Sequence, residues 1–218
     1  MSNSSILSPL QIEFLEQFFS SAVGKKFFLT GGTALAAYYL EHRYSEDIDL
    51  FTVDDAALEQ AQHEITAIGQ RLLAPSKVAV AAPSFRKVYL NHPQETLRVD
   101  LVRDIDVQFG THPLFGNVIV DALENIGANK VTAIFGRTVS KDFVDLYFLL
   151  QGGLEFEKLL AMAKEKDGGL TEFYLAGMMR QVRNLERLPR MIKPLDLQAL
   201  KQFYLDLEEN MMRSIKPE

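Results

Sequence analysis

The hydrophobic pattern of this chain changes character near residue 116, and that change limits the folds open to it. Before Gly116, short apolar runs of strand length alternate with helical stretches. From Asp121 onward every periodic segment has helical spacing. The chain therefore reads as α+β: a mixed α/β half over residues 1–116, then a helical half over 117–218. In the first half, Ser8-Pro9 caps an amphipathic helix, a short strand over 25–30 stops at Gly31-Gly32, and a helix covers 33–41. A strand follows at 48–52, then a helix to about Leu73 capped by Asp54-Asp55, then strands at 77–81, 85–90 and 96–102. Val118 to Val120 reads as a last strand or an extended connector. The second half is expected to hold helices at 121–135, 140–150, 155–166, 171–188 and 196–212.

Inside that frame, one short run carries chemistry. Asp47 and Asp49 stand two apart in an otherwise apolar strand, so both side chains point to the same side. Two carboxylates held together repel unless a cation joins them, and hard divalent ions such as Mg²⁺ prefer such oxygen ligands. Gly31-Gly32, at the end of the preceding strand, allows the close backbone approach that a phosphate needs. A solvated strand edge or a cap is the plain alternative for the two aspartates. The glycines, with Ile48 and Leu50 burying the other face, favour a metal and a nucleoside triphosphate at one site.

Three further groups bear on the chemistry. Asp100 lies in a second apolar strand, where an ionised carboxylate is costly unless paired. Arg98 or Arg103 can pair it, or it is a third metal carboxylate completing a two-metal site. Asp142 and Asp145 are neighbours on one helix face, with Lys130, Arg137 and Lys141 available to phosphates. A plain helix start, with Ser140 as N-cap and Asp142 near the positive end, accounts for Asp142 at least as well. Arg180, Arg183, Arg187 and Arg190 fall near one helical face, although Pro189 can end that helix; a solvated charged face is the simpler account of them than an RNA contact.

Composition removes other classes. There are no cysteines, which excludes disulfides and thiolate metal sites, and four scattered histidines do not suggest zinc. The first residues carry no signal-like pattern and no apolar run reaches membrane-spanning length, so a soluble cytoplasmic protein without a membrane partner is expected. The net charge of −6 means that any nucleic-acid contact must be a local patch.

Taken together, Leu29-Thr30-Gly31-Gly32-Thr33-Ala34-Leu35, the segment from His42-Arg43 through Ser45 to Asp47-Ile48-Asp49-Leu50-Phe51, and Lys141-Asp142 followed by Asp145-Leu146-Tyr147 resemble the AbiEii/AbiGii toxin family. That family belongs to the DNA-polymerase-β-like minimal nucleotidyltransferases, and the likeness runs from about Phe27 to Leu150 in the family's order. The resemblance implies a polymerase-β-like mixed sheet with flanking helices and a C-terminal helical domain that contributes Lys130 and the lysine–aspartate segment to the site. It implies a toxin of a type IV toxin–antitoxin or phage-defence system. Such a protein uses a nucleoside triphosphate with Mg²⁺ or Mn²⁺, acts on RNA such as the tRNA 3′ end, and has a cognate antitoxin. Carried over residue by residue, Asp47, Asp49 and Asp100 would ligate metal and act in catalysis. Gly31, Gly32, Thr33, Ser45 and Lys130 would meet the nucleotide. Asp142 and Asp145 lie in the last catalytic motif. Two rival readings keep part of this: the same chemistry on a small molecule or protein side chain, or a non-catalytic nucleotide- or partner-binding module.

Overall fold

The computed structural model describes residues 6–215. Two compact units divide the chain, the first ending at Ala122 and the second starting at Leu123. The division falls later than the change of pattern at residue 116. Asp121 N donates to Leu29 O at 2.9 Å, and Val120 forms a parallel bridge with Leu29, so this segment is tied into the first unit.

Helix α1 (Pro9–Ser20) opens the first unit, followed by a 3₁₀ turn (Gly24–Lys26) and strand β1 (Phe28–Thr30). Ser8 and Gln11 form a reciprocal capping box, Gln11 N donating to Ser8 Oγ and Ser8 N to Gln11 Oε1. The buried Gln11 amide also donates to Ser45 O at 3.1 Å, so the cap of α1 is joined to the loop before the next strand. Helix α2 (Gly31–Ala34) begins on the glycines themselves, earlier than the expected start at Thr33, and continues as a π-helical stretch over Leu35–Leu40. Strand β2 (Asp47–Thr52) follows, then α3 (Ala57–Arg71). The cap expected at Asp54-Asp55 is displaced: Ala56 is the N-cap, while Asp54 Oδ1 closes the preceding turn by accepting from Ala56 N.

Strands β3 (Ser76–Ala82), β4 (Phe85–Asn91) and β5 (Thr96–Arg103) complete a five-stranded mixed sheet in the order β1-β2-β5-β4-β3. Only the central β2–β5 pair is parallel. A small hairpin of β6 (Leu114–Phe115) and β7 (Val118–Ile119) stands apart. Alternation separates the sheet's faces. Ile48, Leu50, Val88, Leu90, Leu97, Val99 and Leu101 are buried on one, and the apolar stripe of α3, with Leu58, Ile65 and Ile68, is buried with them.

The second unit consists of α4 (Leu123–Gly136), α5 (Ser140–Gln151), α6 (Phe156–Lys166), α7 (Glu172–Arg180) and α8 (Leu197–Ile215). Val131, Ile134, Phe143, Leu146, Leu175, Met179, Leu200 and Tyr204 form its core. Tyr204 packs edge-on against Phe143, and its hydroxyl donates to Phe143 O at 2.7 Å, which satisfies the one polar atom it brings inside. The helix expected over 171–188 is shorter: α7 stops at Arg180, and a 3₁₀ turn (Gln181–Asn184) leads into irregular chain before Pro189. The four arginines therefore share no helix face, and Arg180 is bound to the buried Glu208 at 2.6 Å.

Candidate functional site

Sheet register brings the acids together. Thr30 pairs with Asp49, Asp49 with Asp100, and Asp100 with Lys87, giving one row across four strands. In the adjacent row Asp47 pairs with Arg98 and Arg98 with Tyr89. Directly paired residues project to the same side of a sheet. Asp47, Asp49 and Asp100 thus share the face opposite α3, and the third carboxylate, far away in sequence, is the cross-strand neighbour of the second.

Arg98 supplies the positive charge in this group. Its Nη2 lies 3.0 Å from Asp47 Oδ2 and 3.3 Å from Asp100 Oδ2. Asp100 is nearly buried, and its Oδ1 has no hydrogen-bond partner. Burial pushes its carboxyl above the ordinary value and Asp47 adds to this, while Arg98 and Lys87 oppose it. Among the described residues no three His, Cys, Asp or Glu side chains form a ready-made metal cluster. The donor chemistry nevertheless suits a hard divalent ion, since three carboxylates share one face and a buried oxygen is left without a partner.

Gly31 borders this group. Its φ is +69°, and a Cβ at that position would run into the Asp49 carboxylate. Only glycine combines that backbone with that neighbour. Gly32 differs: the space beside it is taken by the guanidinium of the buried Arg43 and, more distantly, by Ser45 Oγ. Thr33 is fully buried and its hydroxyl donates to Asp47 O, so it ties the start of α2 to the start of β2.

A supporting network was not legible in the sequence. Thr30 Oγ1 donates to Oδ2 of the fully buried Asp121 at 2.6 Å, and Tyr39 OH donates to Asp121 O at 2.7 Å. His112 Nε2 lies 3.5 Å from the other Asp121 oxygen, its ring stacked on Phe28 at 4.1 Å. Asp121 was expected to open a helix; instead it anchors the residue immediately before Gly31.

In the second unit, Lys130 Nζ lies 2.9 Å from Asp142 Oδ1 and 2.7 Å from Asp145 Oδ2, and Arg137 Nε lies 2.8 Å from Asp142 Oδ2. Burial alone would push Asp142 up, but Lys130 and Arg137 outweigh it and hold its carboxyl below the ordinary value. The expected Ser140 cap is absent: Val139 is the N-cap, without a side-chain bond, and Ser140 is the first helical residue. Lys130, Asp142 and Asp145 are thus brought together as a buried ion-paired group on α4 and α5.

Two solved structures share this architecture. JHP933 from Helicobacter pylori is 16% identical with a TM-score of 0.60, covering 94% of this chain and 90% of that one. MenT4, a nucleotidyltransferase toxin from Mycobacterium tuberculosis H37Rv, is 15% identical with a TM-score of 0.65, covering 94% of this chain and 82% of that one. At such identities the likeness is one of fold, and the fold is that of a nucleotidyltransferase. An uncharacterized protein of Aquifex aeolicus (strain VF5) is 29% identical over 167 residues, 72% of this chain and 73% of that protein. The family model described as nucleotidyl transferase AbiEii toxin, Type IV TA system, matches residues 13–213, and the chain belongs to that family.

Proposed function

We propose that this chain is a toxin that transfers a nucleoside monophosphate from a nucleoside triphosphate to a hydroxyl of an RNA acceptor, the tRNA 3′ end being the acceptor to test first. The observation that carries the reading is the juxtaposition of Asp47, Asp49 and Asp100 on one face, with Gly31 against Asp49 and the unpartnered Asp100 Oδ1. Asp47, Asp49 and Asp100 would hold Mg²⁺ or Mn²⁺, which when bound supplies Lewis-acid activation and stabilises the pyrophosphate leaving group. Gly31, lacking a Cβ, lets the Asp49 carboxylate sit against the turn that opens α2, and the triphosphate would lie beside that turn. Thr33 and Ser45 act by shaping the surroundings of that turn. Asp100 Oδ1 is the oxygen left to meet either the cation or the attacking hydroxyl.

In the reaction, the acceptor oxygen forms a bond to the α-phosphorus, the bond to the bridging oxygen breaks, and pyrophosphate departs. The hydroxyl proton passes to a carboxylate or to water. Within the helical unit, Asp142 and Asp145 hold the Lys130 ammonium in one position. Family membership supports a cognate antitoxin, and a reaction on NTP and RNA belongs in the cytoplasm.

The test is incubation of the protein with each labelled NTP, Mg²⁺ and total RNA beside an Asp49→Ala control. Label in a tRNA-sized band that disappears in the control is the expected result. Label in protein or in a small molecule moves the acceptor to another class. No labelled product with any NTP overturns the reading.

A further inference from the structure

The outer strands extend the carboxylate face into a basic and aromatic track, and we propose that this track seats the single-stranded 3′ segment of the RNA acceptor. The inference rests on the nucleotidyl-transfer reading above and adds where the acceptor lies. Asp100 pairs with Lys87, Arg98 pairs with Tyr89, and Tyr89 pairs with Lys77 on the edge strand. Lys87, Tyr89 and Lys77 therefore project on the same side as the acids. Phe85 lies two residues before Lys87 on that side, and Lys87 Nζ stands 5.6 Å from the centre of its ring. Lys77 is exposed, and Phe85, Lys87 and Tyr89 are half-buried.

Position decides between nucleotide and acceptor. Gly31 borders Asp49 from the β1 side, whereas Lys87 and Tyr89 lie beyond Asp100 on the β4 side. The attacking and leaving oxygens of a phosphoryl transfer stand roughly in line on opposite sides of the phosphorus. A triphosphate received beside Gly31 directs its pyrophosphate to that end, and the attacking hydroxyl then comes from the Asp100–Lys87 side. Cations interleaved with aromatic rings suit a nucleic-acid strand, the rings stacking on bases without sequence preference. Strands about 4.8 Å apart make the span from β5 to β3 about 10 Å, room for two or three stacked nucleotides at about 3.4 Å each. The track also gives a chain of net charge −6 the local basic patch that RNA binding requires.

The full chain and its Tyr89→Ala, Tyr89→Phe and Lys77→Ala variants are compared for binding of fluorescent single-stranded RNA over a salt series, and for the KM of RNA and of NTP. Tyr89→Ala is expected to raise the RNA Kd about tenfold, the scale of one lost base stack, with Tyr89→Phe retaining affinity. Lys77→Ala should lower the slope of log K against log salt by about 1. The KM for NTP should stay at the unaltered value in all three. Unchanged RNA affinity, or a rise in the NTP KM in its place, overturns the track while transfer to RNA by the unaltered protein still stands. Should the unaltered protein label no RNA, the transfer reading and the track fall together.

Discussion

Arg98 and Asp100 stand two apart on one strand and face the same way, with Arg98 Nη2 3.3 Å from Asp100 Oδ2 and also within reach of Asp47. One guanidinium thus balances two acids that a divalent ion would otherwise join. The acids carry their own counter-charge, and a divalent ion held there would have to compete with it.

Arg98→Met should therefore make the protein depend on its ion. Without Arg98, Asp47 and Asp100 repel each other with less relief, so the metal-free variant should lose on the order of 1 kcal/mol or less, because Arg98 is partly exposed. Added Mg²⁺ should raise its Tm more than it raises that of the unaltered protein. Equal shifts in a thermal scan with and without Mg²⁺ would count against a cation site at these acids.

Asp100→Asn should trade activity for stability. The folded-state pKa of Asp100 is raised by burial, so the ionised carboxylate disfavours folding at neutral pH. That penalty is present above the folded pKa and is relieved as pH falls through it. The asparagine variant should be more stable than the unaltered protein at pH 7, with the gain shrinking on acidification, and should transfer no nucleotide. Chemical denaturation at a series of pH values measures the first, and the labelled-NTP assay the second.

The helical unit should respond to acid in the opposite direction. Asp142 is held below its ordinary pKa, so its contribution is present above the unfolded value and is lost as pH falls through the folded one. Asp142→Asn removes a partner from the buried Lys130 and should cost about 3–5 kcal/mol near neutrality. The loss should diminish in strongly acidic buffer. A cost that does not vary with pH would mean that the carboxylate's charge is not what matters there.

Gly31→Ala combines two faults. An alanine at φ +69° costs about 1–2 kcal/mol, and its methyl group displaces the Asp49 carboxylate. The variant should unfold at lower denaturant concentration and lose transfer activity beyond what that loss of stability explains. Gly32→Ala has no such backbone penalty, and its methyl group meets the end of the Arg43 side chain.

Local features were legible wherever they depend on neighbours in the chain. The Ser8–Gln11 cap, the alternation that sets Asp47 beside Asp49, and the order of the elements all rest on spacing of a few residues. Element ends were less readable. The helix after the glycines starts on Gly31 because glycine tolerates the left-handed entry, and α7 ends at Arg180, well before Pro189. Ser140 and Asp54 looked like caps by residue type, yet the backbone enters those helices at Val139 and Ala56.

The amino-acid sequence by itself determined the local pattern: two carboxylates on one strand face, a glycine turn before them, and a lysine–aspartate helix after them. The tertiary structure alone decided who their partners are. Asp100 neighbours Asp49 because β5 inserts between β2 and β4, and Arg98 bridges two of the acids because of that same register. Asp121 reaches Thr30 across 91 positions of the chain. Strand pairing is non-local, with each register fixed by the burial of a whole face, so no local periodicity can specify which distant residue stands opposite which.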